Sequence, residues 1–456
     1  MPLSDLVRLN VSLQTETYDY RTPIKFGGRV VRDVTILSAI CDAELRSGQR
    51  AAEHTRGFGS MTLGVAWAWP HPTLADETKV EILLKLAERI ATTLGDEQPA
   101  GHPLEICDTI AHFRGGLAKD VAQQYALSEP IPDLAILLAA SPIEASLFDA
   151  QGKALGVSSY ALLGRDAVSS DLSRYLGGDY SGRYLDEYIA AKPAASMPLY
   201  HLVGALDPLD DSDIQTPVGD QLPETLGEWI RRDGLSHLKI KLAGDAFDWD
   251  VQRLLGVHRV AITHGKPAQR WAYSLDFNER CQSADYVLAL IDELGCREPA
   301  ALQAIQYIEQ PTHRDLAKHP ENVMHAVAER LPVVIDESLV DLASLRLAVA
   351  QGYSGVALKA CKGHSEALLM AAVARQENLF LCVQDLTCVG ASLLHSASLA
   401  SHIPGVAAIE SNGRQYCPAG NADWVELFPG IFDVRDGQLP THCLNGPGLG
   451  FAELSR

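Results

Sequence analysis

Three apolar runs in the second half of the chain each end on a carboxylate: Ser274-Leu275-Asp276-Phe277-Asn278, Tyr307-Ile308-Glu309-Gln310-Pro311 and Val334-Ile335-Asp336-Glu337-Ser338. Acids gathered in a protein interior repel one another and take up protons unless a cation sits among them. An all-oxygen ligand set, without Cys or His, suits Mg2+ or Mn2+ rather than Zn2+. Two more runs carry lysines. In His237-Leu238-Lys239-Ile240-Lys241-Leu242 the alternation puts the apolar residues on one face and Lys239 and Lys241 on the other. Val356-Ala357-Leu358-Lys359 adds a further lysine. Lysines facing each other over a divalent cation suit removal of a proton beside a carboxylate. The substrate carboxylate ligates the metal, one neutral lysine abstracts the α-proton, and the metal stabilises the enediolate. The Lys239 ammonium and the metal favour the neutral form of the base, Lys241. Lys359 lies on the opposite side, where it could return the proton, stabilise charge or protonate a leaving group. Glu337 competes with Asp336 as third ligand, and a shift of one residue would move the ligand to the other strand face.

The elements that must position these groups are legible as periods. From about residue 197, short β-rich runs alternate with helix-length amphipathic stretches. The expected strands are 198–204, 237–242, 271–277, 305–310, 332–337, 355–360, 379–385 and 406–411, and the helices between them include 278–294, 321–330, 342–351 and 365–376. Eight βα units close a TIM-type barrel, whose chemistry sits at the C-terminal ends of the strands. At that rim Asn278, Asp385 and Glu410 are candidates for binding substrate, with rim salt bridges as the alternative for the last two. Before the barrel, 8–17, 29–46 and 50–58 read as an antiparallel meander with turn signals at Gly27-Gly28 and Ser47-Gly48. Helices follow over 74–94 and 133–155, the latter expected to break near Ser141 ahead of Pro142. The acidic stretch 206–222 reads as an exposed loop. Trp249 and Trp271 suggest helix-to-barrel packing.

Taken in order, Lys-x-Lys (239, 241), Asp-x-Asn (276, 278), Glu-Gln-Pro (309–311), Asp-Glu-Ser (336–338) and Leu-Lys (358–359) resemble the enolase superfamily, specifically its muconate lactonizing enzyme subgroup. The run Ser141 to Gly156, followed by Tyr160-Ala-Leu-Leu-Gly164, is similar to the helix by which that family's capping domain leads into its barrel. The resemblance implies an α/β, enolase-like fold: a TIM-type (β/α) barrel, or a modified form of it, over 190–414, with an α+β capping domain over 1–165 joined by the C-terminal segment 415–456. It implies Asp276, Glu309 and Asp336 as metal ligands, Lys241 and Lys359 as the acid/base pair, and Lys239 as electrostatic support. A His-Asp dyad, as in the mandelate racemase subgroup, has no counterpart, since these strands offer Lys359 and Gln384-Asp385. Residues 18–26, with Arg21 and Lys25, and His54 and Arg56 beside Gly57-Phe58-Gly59 resemble the loops that close over the family's site. The spacings from Lys241 to Asp276 and from Asp276 to Glu309 are longer than expected. The last strand ends Ile409-Glu410-Ser411-Asn412 rather than Asp-x-Asp, which argues against a dipeptide substrate.

The expected activity is therefore Mg2+-dependent proton abstraction α to a small carboxylate, by an isomerase (racemase, epimerase or cycloisomerase) or a lyase. An acid-sugar dehydratase and a catalytically silent, binding or structural barrel are the alternatives. Composition sets the remaining bounds. With 47% hydrophobic and 21% charged residues, the 456-residue chain can bury a sizeable core. A formal charge of −20 disfavours nucleic acid and anionic membranes as partners. Nine dispersed cysteines without zinc-site spacing suit a reducing, cytoplasmic setting. A homo-oligomer is expected from the resemblance.

Overall fold

A computed structural model describes residues 4–26, 29–46, 54–70 and 74–451. The N-terminal strands β1 (Leu6–Phe26), β2 (Arg29–Leu45) and β3 (His54–Thr62) form an antiparallel sheet in that order. The turn signals at 27–28 and 47–48 lie outside the described residues. β1 does not stop near residue 17: pairing with β2 resumes beyond a register shift between Asp19 and Ile24, which carries the chain on to Lys25. Helices α1 (Asp76–Glu97), α2 (Pro103–Gln124) and α3 (Asp133–Leu155) complete this part, and α2 is additional to the helices expected from the sequence. The expected break at Pro142 does not occur. Proline cannot donate to the carbonyl four residues back, but the Ser141 hydroxyl donates to that Leu138 carbonyl at 3.0 Å, so α3 continues. β3 lies directly on α3 because Gly57 and Gly59 bear no side chain: a Cβ would stand 2.0 Å from the Ser146 carbonyl oxygen and 2.1 Å from that of Pro142.

The barrel strands are β4 (Ser196–Val203), β5 (His237–Lys241), β6 (Ala272–Asp276), β7 (Ile305–Glu309), β8 (Val333–Ile335), β9 (Gly355–Leu358), β10 (Phe380–Val383) and β11 (Val406–Glu410). Neighbours pair in parallel, and β11 pairs with β4, so the eight-strand ring closes. A short strand β12 (Gln438–Pro440) pairs antiparallel with the start of β4, Ser196–Pro198, ahead of the residues that pair in the ring. All eight expected strands are present, with ends within two residues of those read from the sequence. The helix expected over 278–294 starts only at Ala284, because Asn278 and Glu279 adopt positive φ (45° and 66°) and form a loop at the rim. The one expected over 321–330 shrinks to the turn His325–Ala328. Upstream, the Asn322 and Met324 amides donate to His319 and Gln351 carbonyls instead of starting a helix. The C-terminal segment reaches back to the first sheet, where Trp424 stacks on Phe58 and Phe451 meets it edge-on. Among the described residues, no helix is long and apolar enough to cross a membrane.

Candidate active site

Strand period two builds the site in layers. Tyr200, Tyr307, Val334, Ala357, Cys382 and Ala408, one from each of six strands, form a separate apolar cluster inside the barrel. Two residues further along, each chain returns its side chain to the interior, and there stand Leu202, Glu309, Asp336, Lys359, Gln384 and Glu410. Lys239 is in register with Leu202, and Lys241 with Asp276, which is itself in register with Glu309. The apolar layer thus floors a polar one at the strand ends, where a parallel barrel has its mouth. β5 and β9 are four places apart in the ring of eight, so Lys241 and Lys359 approach from opposite sides.

The polar layer is buried and tightly paired. Lys239, Lys241 and Lys359 are 2%, 4% and 3% exposed. The Lys239 ammonium lies 3.0 Å from both Glu309 and Glu410 and 3.2 Å from Asp276. Lys241 donates to Asp276 and, at 3.1 Å, to Asn278 Oδ1. Lys359 donates to Asp336 Oδ2 at 2.8 Å. Gln384 donates to Glu309, and the Gln310 side-chain oxygen accepts from the Asp336 and Ser338 amides at 3.1 and 3.2 Å, which fixes the turn carrying Asp336.

Burial alone would raise the Asp276 and Asp336 carboxyls, but Lys241 and Lys239 at the first and Lys359 and Lys362 at the second hold them well below the usual range. Glu309 goes the other way, pushed well up by burial and then by Asp276 and Asp336, against the pull of Lys239. Glu337 and Asp385 are each raised to about 8, chiefly by burial and next by Asp336 and Glu410 respectively. Lys239 is held protonated: burial lowers it, and Glu309, Glu410 and Asp276 more than offset that.

Four buried carboxylates (Asp276, Glu309, Asp336, Glu410) meet four buried ammoniums (Lys239, Lys241, Lys359, Lys362), so the charges balance when all are ionised, while Glu337 and Asp385 stand beside them with raised carboxyls. The donor set fits a hard cation, since Asp276, Glu309 and Asp336 offer oxygens from three successive strands and no sulfur or imidazole intrudes. Among the described residues, no three acid, His or Cys side chains are already drawn around one point. The Lys239 ammonium lies against both Asp276 and Glu309. Ligation would require these side chains to exchange their ammonium partners for the metal.

The other expected residues divide. Asn278 stands at the mouth against Lys241. Asp385 holds loops at the rim: its oxygens accept from the Thr387, Cys388 and Asn412 amides. Glu410 accepts from Lys239 and, at 3.0 Å, from Asn412 Nδ2. Glu337 follows Asp336 on the opposite strand face. Of the first sheet, Arg21 grips Asp220 in the acidic loop, and Lys25 shares a cavity with Lys241. His54 and Arg56 turn away: they are strand residues paired with Glu44 and Asp42. The segment after β3 approaches the site instead, bringing Trp67. Its ring lies 4.2 Å from Lys359 Nζ and its Nε1 donates to Asp336 Oδ2 at 3.3 Å. Trp249 is not simply a packing residue, since it is 40% exposed and lines the cavity at Lys241. Lys362 is a further member of the site that sequence reasoning missed. It donates to the Asp336 carbonyl at 2.6 Å, and only its place three residues after Lys359 on an apolar, buried stretch signals it.

Comparison with known proteins agrees with this architecture. No curated protein matches the chain in sequence. The N-succinyl Arg/Lys racemase from Bacillus cereus is similar with a TM-score of 0.62 at 17% identity, covering 97% of this chain and 94% of that one. A muconate lactonizing enzyme from Pseudomonas fluorescens complexed with muconolactone gives 0.58 at 17% identity over 98% and 96%. An enolase from Bradyrhizobium complexed with magnesium and mandelic acid gives 0.60 at 17% identity over 98% and 96%. At such identities these likenesses establish a shared fold. Residues 221–453, just over half of the chain, match the family described as Enolase C-terminal domain-like, and the chain belongs to that family and so to the enolase superfamily.

Proposed function

We propose that the protein is an enzyme that removes the proton α to a small carboxylate, with Mg2+ (or Mn2+) held by Asp276, Glu309 and Asp336 and with Lys241 as the base. The reading rests above all on one observation: these three acids and Lys239, Lys241 and Lys359 share one buried layer at the barrel mouth, the two outer lysines approaching from opposite sides. Asp336 rather than Glu337 completes the set because it lies two residues beyond the inward Val334. A bound divalent cation would supply the positive charge that a carboxylate needs as its α-proton leaves.

The chain's own groups do the rest. Lys239 stays an ammonium among Glu309, Glu410 and Asp276, and so lends positive potential beside Lys241. Asn278 accepts from Lys241 and holds its Nζ at the edge of a cavity that could admit substrate. Lys359 presents positive charge from across the ring. An isomerase or lyase follows according to what happens at the far face. The nine cysteines carry no disulfide among the described residues, which suits a reducing cytoplasm.

The test is solvent deuterium exchange at the α-carbon with Mg2+-loaded protein and a panel of mandelate, N-acetyl and N-succinyl amino acids, muconolactone and sugar acids. Exchange that disappears with EDTA and with Lys241→Ala is expected. No exchange with any member would sink the proposal in favour of a binding or structural barrel.

A further inference from the structure

The two lysines are not equivalently placed. Lys241 lines a cavity of about 430 Å3 together with Lys25, Leu206, Ala246, Trp249 and Asn278. Leu206 and Trp249 are large apolar side chains left 53% and 40% exposed there, as at a mouth that receives a ligand. Lys359 borders a separate void of about 10 Å3 on its Leu339, Val340 and Met370 side, too small for more than about one water.

What covers Lys359 is the Trp67 indole. Its ring faces the ammonium at 4.2 Å, the arrangement in which an aromatic face attracts a cation. Its N–H donates at 3.3 Å to the same Asp336 oxygen that accepts from Lys359 at 2.8 Å, so indole, ammonium and carboxylate close a triangle. Trp67 is itself 6% exposed and held from behind. Arg314 donates to the Trp67 carbonyl at 3.1 Å, and Glu279 grips Arg314 with both oxygens, at 2.8 and 2.5 Å. Arg314 follows β7 and Glu279 follows β6, so two barrel loops lock one residue of the first sheet's extension over the sixth barrel strand's lysine.

We infer that Trp67 is a positioning residue that withholds Lys359 from the substrate's α-carbon and makes the proton transfer one-sided. This rests on the proposed α-proton abstraction and narrows it. Lys241 breaks the C–H bond and takes the proton, its N–H exchanges with solvent, and a deuteron returns from the same nitrogen to the same face of carbon. Configuration is then retained, and the completed reaction is a cycloisomerisation or an elimination, not a racemisation.

The experiment uses the Mg2+-loaded full chain with each enantiomer of mandelate, N-acetylphenylalanine and N-succinylarginine in D2O. Wild type is expected to exchange one enantiomer of a responsive pair with retention. Trp67→Leu should exchange both and racemise them, the second rising by about tenfold or more, in line with loss of a desolvated cation–π contact. Trp67→Phe keeps a ring over the ammonium and should stay one-sided, which separates cover from mere folding. Racemisation by wild type, or Trp67→Phe behaving as Trp67→Leu, overturns the inference while leaving α-proton abstraction standing. If no probe exchanges, that reading fails, and limited acetylation by acetic anhydride read by mass spectrometry still judges this one. Lys359 should be labelled about tenfold more slowly than Lys241 in wild type and within a few-fold of it in Trp67→Leu. Equal labelling in wild type overturns the inference.

Discussion

Lys239 is the residue on which the buried charge turns. Its ammonium touches Glu309, Glu410 and Asp276, each almost wholly buried; its removal leaves Asp276 with Lys241 but takes the paired ammonium from both Glu309 and Glu410. Replacing it with Met should destabilise the metal-free protein by about 3–5 kcal/mol, the usual cost of orphaning buried charge. Under the proposed metal role, saturating Mg2+ should restore more stability to Lys239→Met than to wild type; denaturation with Mg2+ and with EDTA gives the comparison, and an equal gain would count against ligation by these acids. Gln310 acts by holding the backbone. In Gln310→Ala the buried Asp336 and Ser338 amides lose their acceptor, so a loss of about 2–6 kcal/mol is expected in urea unfolding, at about 1–3 kcal/mol for each orphaned donor. Most of the inward acids and lysines are legible in sequence because strand period two assigns each a face as soon as one neighbour is known to point outward. Trp67 is not, since its position over Lys359 depends on a segment of one sheet being caught by Arg314 and Glu279 of two barrel loops. Asp385 has the expected position, and its oxygens also accept from three backbone amides, a loop-holding arrangement that local sequence does not reveal.

At the scale of elements, the eight barrel strands are legible because each is a short β-rich run bounded by turn signals. The helices are less so, since their ends depend on loops such as Asn278–Glu279, whose left-handed backbone delays the start to Ala284. Helix α3 shows how one residue can defeat a local rule. Pro142 should have ended it, and the Ser141 hydroxyl takes the place of the missing amide at the Leu138 carbonyl. This makes a double-mutant prediction. Ser141→Ala should cost about 1–2 kcal/mol in the native background, where it strands a buried carbonyl. In a Pro142→Ala background, where residue 142 regains its own N–H, the same change should cost close to nothing. Equal costs in both backgrounds, measured by chemical denaturation, would show that the hydroxyl is not the substitute donor.

At the scale of the molecule, the C-terminal segment packs back on the first sheet and α3, and Asp149 sits where these three meet. One oxygen accepts from the Phe58 amide of β3 at 2.8 Å, the other from the Leu449 amide of the C-terminal segment at 2.9 Å, and Lys153, one helical turn on in α3, pairs with it at 2.5 Å. Burial raises this carboxyl, with Lys153 and the two amides opposing. Gly448 approaches so closely that a Cβ there would lie 2.1 Å from Asp149 Oδ1, so the carboxylate and the tail are fitted to each other. Because Trp67 is carried by the chain just beyond β3, an anchor that fixes β3 against α3 and the tail also fixes the residue that covers Lys359. Asp149→Ala removes an acceptor from two buried amides and should cost about 2–4 kcal/mol. Asp149→Asn, which retains one acceptor oxygen and loses the pairing with Lys153, should cost less. Urea unfolding followed by tryptophan fluorescence and by far-ultraviolet circular dichroism checks both the amounts and the coupling. If Asp149 joins cap, helix and tail into one cooperative unit, the two signals coincide in wild type and separate in Asp149→Ala, with the fluorescence transition moving to lower urea; coincident transitions in the variant would mean that the tail and β3 are held by packing alone.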